Sequence, residues 1–257
     1  MRKIILAATL FFAILFAGCS NKTAINPCDV ELGSHVAVTP LSKPDVNWWM
    51  PRHQGVLERI KEGNVNILFI GDSITHGWEK SGKEMWDKYY EPRGTVNMGF
   101  SGDRTENVLW RLENGEIDNI SPNLAIIMIG TNNVVPNTAE EISDGIKAII
   151  CKFRTELPET KILLLAIFPR GSYEQRKIKT ADATMNPLWE KNNKASELAS
   201  MVADDDMIYY LDINDKFLDE NGTLTRSMMP DLLHPKEKGY KIWAEAMEPT
   251  IKKLMNE

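Results

Sequence analysis

Cysteine is scarce. Three occur in 257 residues, at positions 19, 28 and 151, and the chain holds no CxxC and no HExxH. Structural zinc sites and the zinc-hydrolase motif therefore have no support. Neither GxGxxG nor GxxxxGK[ST] comes after the first apolar strand-like run, so the common dinucleotide and phosphate loops are missing too. Positive charge is in deficit, with 30 Lys+Arg against 36 Asp+Glu and a net charge of −6. Without a basic stripe, nucleic acid is not an expected partner. Internal repeats and low-complexity blocks are also lacking. The chain is still long enough for one α/β domain with a sizeable core.

Long apolar runs are few. Residues 4–17, IILAATLFFAILFA, fall short of the roughly 18–20 residues that span a bilayer, and match a signal-peptide core instead. Met1-Arg2-Lys3 precede them and Gly18-Cys19-Ser20 come after. Small residues before a cysteine resemble a bacterial lipobox, although Phe16 stands where leucine is usual. Residues 1–18 are thus expected to be a lipoprotein signal peptide, with Cys19 as the lipid attachment. An ordinary secretory signal is the alternative. The expected location is the bacterial cell envelope, lipid-anchored, on the periplasmic side or the cell surface. Residues 19–45 are polar, with scattered Pro, Gly and Ser, and read as a tether and lead-in. Residues 46–257 read as the working domain. Export permits a Cys28–Cys151 disulfide. Cys151 lies in the apolar IKAIICKF, where a buried free thiol serves equally well.

A rhythm runs through the rest. Apolar runs of strand length recur at 65–70, 95–100, 124–130, 161–168 and 207–213. Helix-like segments at 103–113, 139–155 and 187–203 alternate with them, and another precedes them at about 51–62. Continuous apolar strands alternating with amphipathic helices predict a five-stranded parallel sheet covered on both faces, a three-layer α/β/α domain. Ligands of such sheets bind beyond the carboxyl ends of the strands. The segments just past those ends are polar or glycine-rich: Gly71-Asp72-Ser73, then Gly99-Phe100-Ser101-Gly102, Gly130-Thr131-Asn132-Asn133, Pro169-Arg170-Gly171 and, after a loop, Asp231-Leu232-Leu233-His234.

A serine hydroxyl needs a neighbouring base to act as a nucleophile. Of the four histidines, His35 falls in the tether, His53 in the first helix and His76 just after Ser73. His234 has a carboxylate three residues before it. Asp231 can hold one imidazole nitrogen and set the tautomer. Pro230 and Pro235 bracket the pair and predict a stiff turn. The oxyanion of an acyl-transfer intermediate needs donors, and the Ser73 N–H, the Gly102 N–H and the Asn132 amide suit that task.

These four blocks resemble the SGNH (GDSL) hydrolases over roughly residues 64–255. FSGDRTENVLWRLENGEIDNISP, IIMIGTNN and IFPRG are most similar to the platelet-activating-factor acetylhydrolase catalytic subunits and bacterial acetylesterases. The resemblance implies a flavodoxin-like sheet. It implies Ser73 as nucleophile, His234 as base and Asp231 as orienting acid, with Ser73, Gly102 and Asn132 as the oxyanion hole. Many members carry GxND in the third block, whereas this chain has Asn133 in the last position; the acetylhydrolase subgroup shares GTNN.

Several other residues have plainer expected roles. Asp72 should bond loop backbone rather than act on the substrate. Asp103 is a candidate helix cap. Arg104 and Arg170 are expected as surface salt-bridge partners, with contact to an anionic substrate as the alternative. Trp48, Trp49, Trp78 and Trp86 could form a sugar platform, though packing is the commoner use. The expected activity is hydrolysis of short-chain, chiefly acetyl, esters through an acyl-serine, on O-acetylated carbohydrate. A phospholipid or lysophospholipid esterase is the alternative, and a non-catalytic carbohydrate-binding lipoprotein is the reading from another class. No metal or organic cofactor is expected, and the expected partner is a small-molecule or glycan ester.

Overall fold

The computed structural model describes residues 24–257. The expected signal peptide and Cys19 lie outside the described residues. In chain order the elements are α1 (Trp49–Lys61), β1 (Ile67–Gly71), α2 (Ser73–His76), α3 (Lys83–Tyr89), β2 (Thr95–Gly99) and α4 (Thr105–Arg111). Next come β3 (Leu124–Met128), α5 (Ala139–Glu156), β4 (Lys161–Leu165), α6 (Tyr173–Lys177), α7 (Pro187–Ala199), β5 (Ile208–Leu211) and α8 (Glu237–Met255). All five strands are parallel, in the order β2-β1-β3-β4-β5.

Strand residues alternate between faces, which splits the core in two. Leu68 and Ile70 join side chains of α1, α4, α5 and α7 on one side. Ile67 and Phe69 join those of α3 and α8 on the other. The expected three-layer α/β/α sandwich is therefore present. Strand order reverses at β1, which has β2 on one side and β3 on the other, so the switch point lies beside Gly71-Asp72-Ser73.

Two differences from the sequence reading bear on the site. The described part of the 19–45 segment is packed rather than a free tether: Ala37 is fully buried, and Ala37 O accepts from Thr105 Oγ1 at 2.7 Å. Leu41 N–H donates to Glu106 O, and Leu41 O accepts from Asn107 Nδ2. Cys28 and Cys151 form a disulfide with their Cα atoms 5.0 Å apart, which ties this segment to α5. The domain thus begins well before residue 46. The second difference is α8, which lies beyond the alternating strands and helices. Its signal is present in the sequence: Tyr240, Trp243, Ala244, Met247, Ile251 and Leu254 recur at helical spacing and are all buried. Tyr240 Oη donates to Ile74 O at 2.6 Å, so α8 braces the turn that carries Ser73.

Candidate active site

The nucleophile turn is built by close approach. Gly71 ends β1, and a Cβ there would lie 2.5 Å from Met128 O and 2.1 Å from Thr75 Oγ1. Only glycine lets α2 start so near the sheet. Asp72 then caps α2, accepting the Ile74 N–H at 2.9 Å. This is the backbone role expected of it. Burial pushes the Asp72 carboxyl up to about 6.

Ser73 Oγ lies 2.8 Å from His234 Nε2, across 161 residues of sequence. His234 Nδ1 lies 2.7 Å from Asp231 Oδ2. Burial works against the Asp231 charge. The hydrogen bonds from the His234 ring and backbone, and the charges of His234 and Arg176, outweigh it and hold the carboxyl below the usual range. An ionised carboxylate only accepts, so Nδ1 carries the proton and Nε2 is left to take one from Ser73. The turn between acid and base is not helical. Asp231 Oδ1 accepts from Leu233 N and His234 N. Leu232 sits at φ 57°, a left-handed conformation costly for a branched side chain. It is held there by full burial and by bonds to Met229 O and Gly171 N.

Gly102 adopts φ +77° in the turn after β2. Its carbonyl accepts from Lys43 Nζ at 2.6 Å. Asn132 gives one amide N–H to Asp103 O at 2.9 Å, which aims the side chain and leaves the second N–H for a ligand. Ser73, Ser101 and His234 line a pocket of about 210 Å³, with His76, Lys80 and Tyr240 among its other walls. Gly102, Asn132 and Leu233 line a second pocket of about 290 Å³. Neighbouring residues 101 and 102, and 233 and 234, thus divide the two. All five residues expected of the site meet at one sheet edge.

Behind the oxyanion turn lies a buried ionic network that no motif announces. Arg111 donates from Nε to Asp103 Oδ2 at 3.0 Å, from Nη1 to Glu116 Oε2 and from Nη2 to Met98 O. Asp103 also accepts from Trp49 Nε1 at 2.7 Å and Lys43 Nζ at 3.1 Å. His53 meets Glu116 at 2.8 Å. Asp103 is therefore the anchor of this network, and not the cap expected of it; the Asn107 side chain accepts from Arg104 N instead. Asn133 is explained by its neighbours. Its Oδ1 accepts from Thr105 N and its Nδ2 donates to Glu106 Oε2 at 3.0 Å. An aspartate there would set a second carboxylate against Glu106.

His76 bonds Ser101 Oγ at 3.1 Å and takes no part in the Ser73 chain. Burial, and then the Arg52 charge, lower its pKa to about 4. Trp49 and Trp78 are buried and Trp86 half-buried, while Trp48 is 38% exposed with its ring 6.0 Å from His76. Among the described residues no three metal-ligating side chains cluster.

This constellation suits acyl transfer: a serine oriented on an imidazole, an imidazole oriented by a carboxylate, and candidate donors for an oxyanion. Relatives agree with that chemistry. Residues 69–242 match the model of the GDSL-like Lipase/Acylhydrolase family. The chain is 33% identical over 224 residues to human "Platelet-activating factor acetylhydrolase IB subunit alpha1", covering 84% of this chain and 91% of that protein. Its fold is similar to a GDSL-like lipase from Bacteroides thetaiotaomicron (TM-score 0.60, 19% identity, 80% of this chain and 97% of that one). It is also similar to a carbohydrate acetylesterase from Sinorhizobium meliloti (TM-score 0.58, 18% identity, 74% and 99%). The chain belongs to the GDSL-like lipase/acylhydrolase family and is a carboxylic ester hydrolase.

Proposed function

We propose that this hydrolase removes short acyl groups, chiefly acetyl, through an acyl-serine formed at Ser73. The observation that carries the reading is the unbroken path from Ser73 Oγ through His234 to Asp231, at 2.8 and 2.7 Å. Ser73 Oγ attacks the ester carbonyl carbon while His234 Nε2 takes its proton. The Ser73 and Gly102 N–H groups and Asn132 hold the oxyanion. The tetrahedral intermediate collapses, the C–O bond to the alcohol breaks, and His234 returns the proton to the departing oxygen. Water repeats the sequence on the acyl-serine and frees the acid.

The acyl preference rests on space. The pocket at Ser73 and its neighbour at Gly102 and Asn132 are small, and mostly polar side chains line them. A long acyl chain would want an apolar channel instead. For the alcohol we favour carbohydrate. Trp48 offers an exposed aromatic face at the rim, beside His76. By analogy of scaffold alone, a carbohydrate acetylesterase uses the same fold. A second reading, a platelet-activating-factor-type phospholipid esterase, draws on the name of the 33%-identical relatives. We also propose export and lipid attachment at Cys19, supported by the GCS sequence after an apolar run and by the Cys28–Cys151 disulfide. Labelled palmitate incorporation that survives Cys19→Ala would overturn that attachment.

The test is a p-nitrophenyl ester series from acetate to decanoate, with Ser73→Ala alongside. The expected result is a rate highest on acetate and abolished by the substitution, then acetate release from acetylated glycans. A maximum at long chains moves the lipid reading to first place.

A further inference from the structure

The pocket beside Gly102 and Asn132 is walled by three arginines: Arg104 at the start of α4, Arg170 after β4 and Arg176 on α6. Their surroundings differ. Arg176 is already engaged, pairing with Asp231 at 3.2 Å and bonding its carbonyl. Arg104 is 42% exposed in its side chain, gives Nε to Asn132 O at 3.2 Å and stands 3.7 Å from Glu106 Oε1. Arg170 is 3% exposed. It gives Nη1 to Thr131 O and Oγ1, yet its Nε is buried without a partner, and among the described residues it forms no salt bridge. The surface salt bridge expected of it is absent because the residue is not on the surface.

A buried guanidinium without a counter-ion is costly. Burial, and then the charge of Arg176, pull its pKa below the ordinary value, and the opposing contributions of Tyr173 and Asp72 are smaller. The carboxylates near the pocket have other partners besides its arginines: Asp231 faces His234 as well as Arg176, Glu106 bonds Asn133 as well as Arg104, and Asp72 caps α2. A chain of net charge −6 therefore concentrates positive charge next to the oxyanion donors. Arginine is the side chain whose planar fork suits carboxylate and phosphate oxygens.

We propose that this pocket binds an anionic group on the substrate, so that the enzyme selects esters of acidic alcohols. The inference rests on Ser73 being the nucleophile, and since acetyl is uncharged, the anion sits on the alcohol side. Arg170 and Arg104 hold it. Its chemistry is a carboxylate, as on an acidic sugar, or a phosphate, as on a lipid headgroup.

Three phenyl acetates with the same reacting carbonyl test this: 4-acetoxybenzoate, 4-acetoxyphenyl phosphate and the neutral methyl 4-acetoxybenzoate. Each is titrated calorimetrically into full-length Ser73→Ala protein, and its kcat/KM is measured with the wild type, Arg104→Gln and Arg170→Gln. At least one anion is expected to bind about tenfold or more tighter than the neutral ester. The anion-to-neutral ratio of kcat/KM should fall about as far in both variants, the comparison with wild type cancelling intrinsic reactivity. Arg104 is exposed, so its variant guards against a folding defect in Arg170→Gln. Tighter binding of the carboxylate points to an acidic sugar, and of the phosphate to a lipid headgroup. Equal affinity for neutral and anionic esters, or a ratio unmoved in both variants, overturns the proposal. Anion-selective binding with no Ser73-dependent turnover would overturn the nucleophile reading on which the proposal stands.

Discussion

Asp72 and Asp103 come after neighbouring strands and are both buried, yet they live in opposite surroundings. Asp103 is met by Arg111, Lys43 and Trp49, and its network continues to Glu116 and His53. Asp72 accepts from one backbone N–H, forms no salt bridge among the described residues, and feels the charges of His234 and Arg170 only at a distance. The contrast extends to the two sides of the site. The side proposed to move protons, with Ser73, His234 and Asp231, is partly open to water, though Asp231 is held by His234, Leu233 N and Arg176. The side proposed to supply fixed donors, with Gly102 and Asn132, rests on a dry and heavily bonded ionic cluster. Preorganised donors must not move as charge develops, whereas an imidazole that shuttles a proton must reach both Ser73 and the leaving group.

Four substitutions put this contrast to the test. The largest expected effect is on the open side: Asp231→Asn should lower kcat by about 10⁴, because the wrong tautomer no longer accepts from Ser73. Its thermal midpoint should fall only modestly, since asparagine loses the Arg176 pairing but keeps the Oδ1 bonds to residues 233 and 234. A large drop in stability would mean that the open side is structural after all.

On the dry side the order reverses. Arg111→Met strands two buried carboxylates and should cost about 3–5 kcal/mol in denaturant unfolding. A loss under about 1 kcal/mol would deny the network its anchoring role. Asn132→Ala leaves the cluster intact but removes one oxyanion donor, for an expected kcat loss of about 10²–10³ with near-normal stability. Inactivity combined with a substantial stability loss would mean that Asn132 acts by holding Asp103 O in place.

The smallest effect concerns Asp72, and its sign is opposite. Its folded pKa of about 6 lies above the unfolded 3.8, so between those values the native state binds more protons. The contribution to stability is fully present below about pH 3.8 and is lost as pH rises through about 6. Asp72→Asn keeps the acceptor for Ile74 N–H and removes the charge. It should raise stability at about pH 7 by at most about 3 kcal/mol and flatten the slope between about pH 4 and 6. Unfolding free energies across that range check it, and an unchanged slope would place the charge in a wetter setting than its burial indicates.

How much is legible in the sequence depends on the range of the interactions. The strands stand out because both faces of a parallel sheet are buried, which leaves unbroken apolar runs such as ILFI and LAIIM. The site residues stand out because each lies past a strand end, where the chain must turn and where polar and glycine residues break the pattern. The Arg111 cluster is illegible for the opposite reason. An arginine, two acids and a histidine on separate segments look like any solvated charges until packing removes the water around them.

Local patterns along the chain were enough to set the period of the elements, the succession of strands and helices and the residue types available past each strand end, since these depend on burial and turn chemistry close in sequence. Three other matters were settled only by tertiary packing. It joined Ser73 to His234 across 161 residues and closed Cys28 on Cys151. It turned the supposed tether into a brace, with Lys43 on the oxyanion turn. It also buried Arg170 without a counter-ion beside the site. Each depends on which distant groups share a volume from which water is excluded, and no local pattern of residues carries that information.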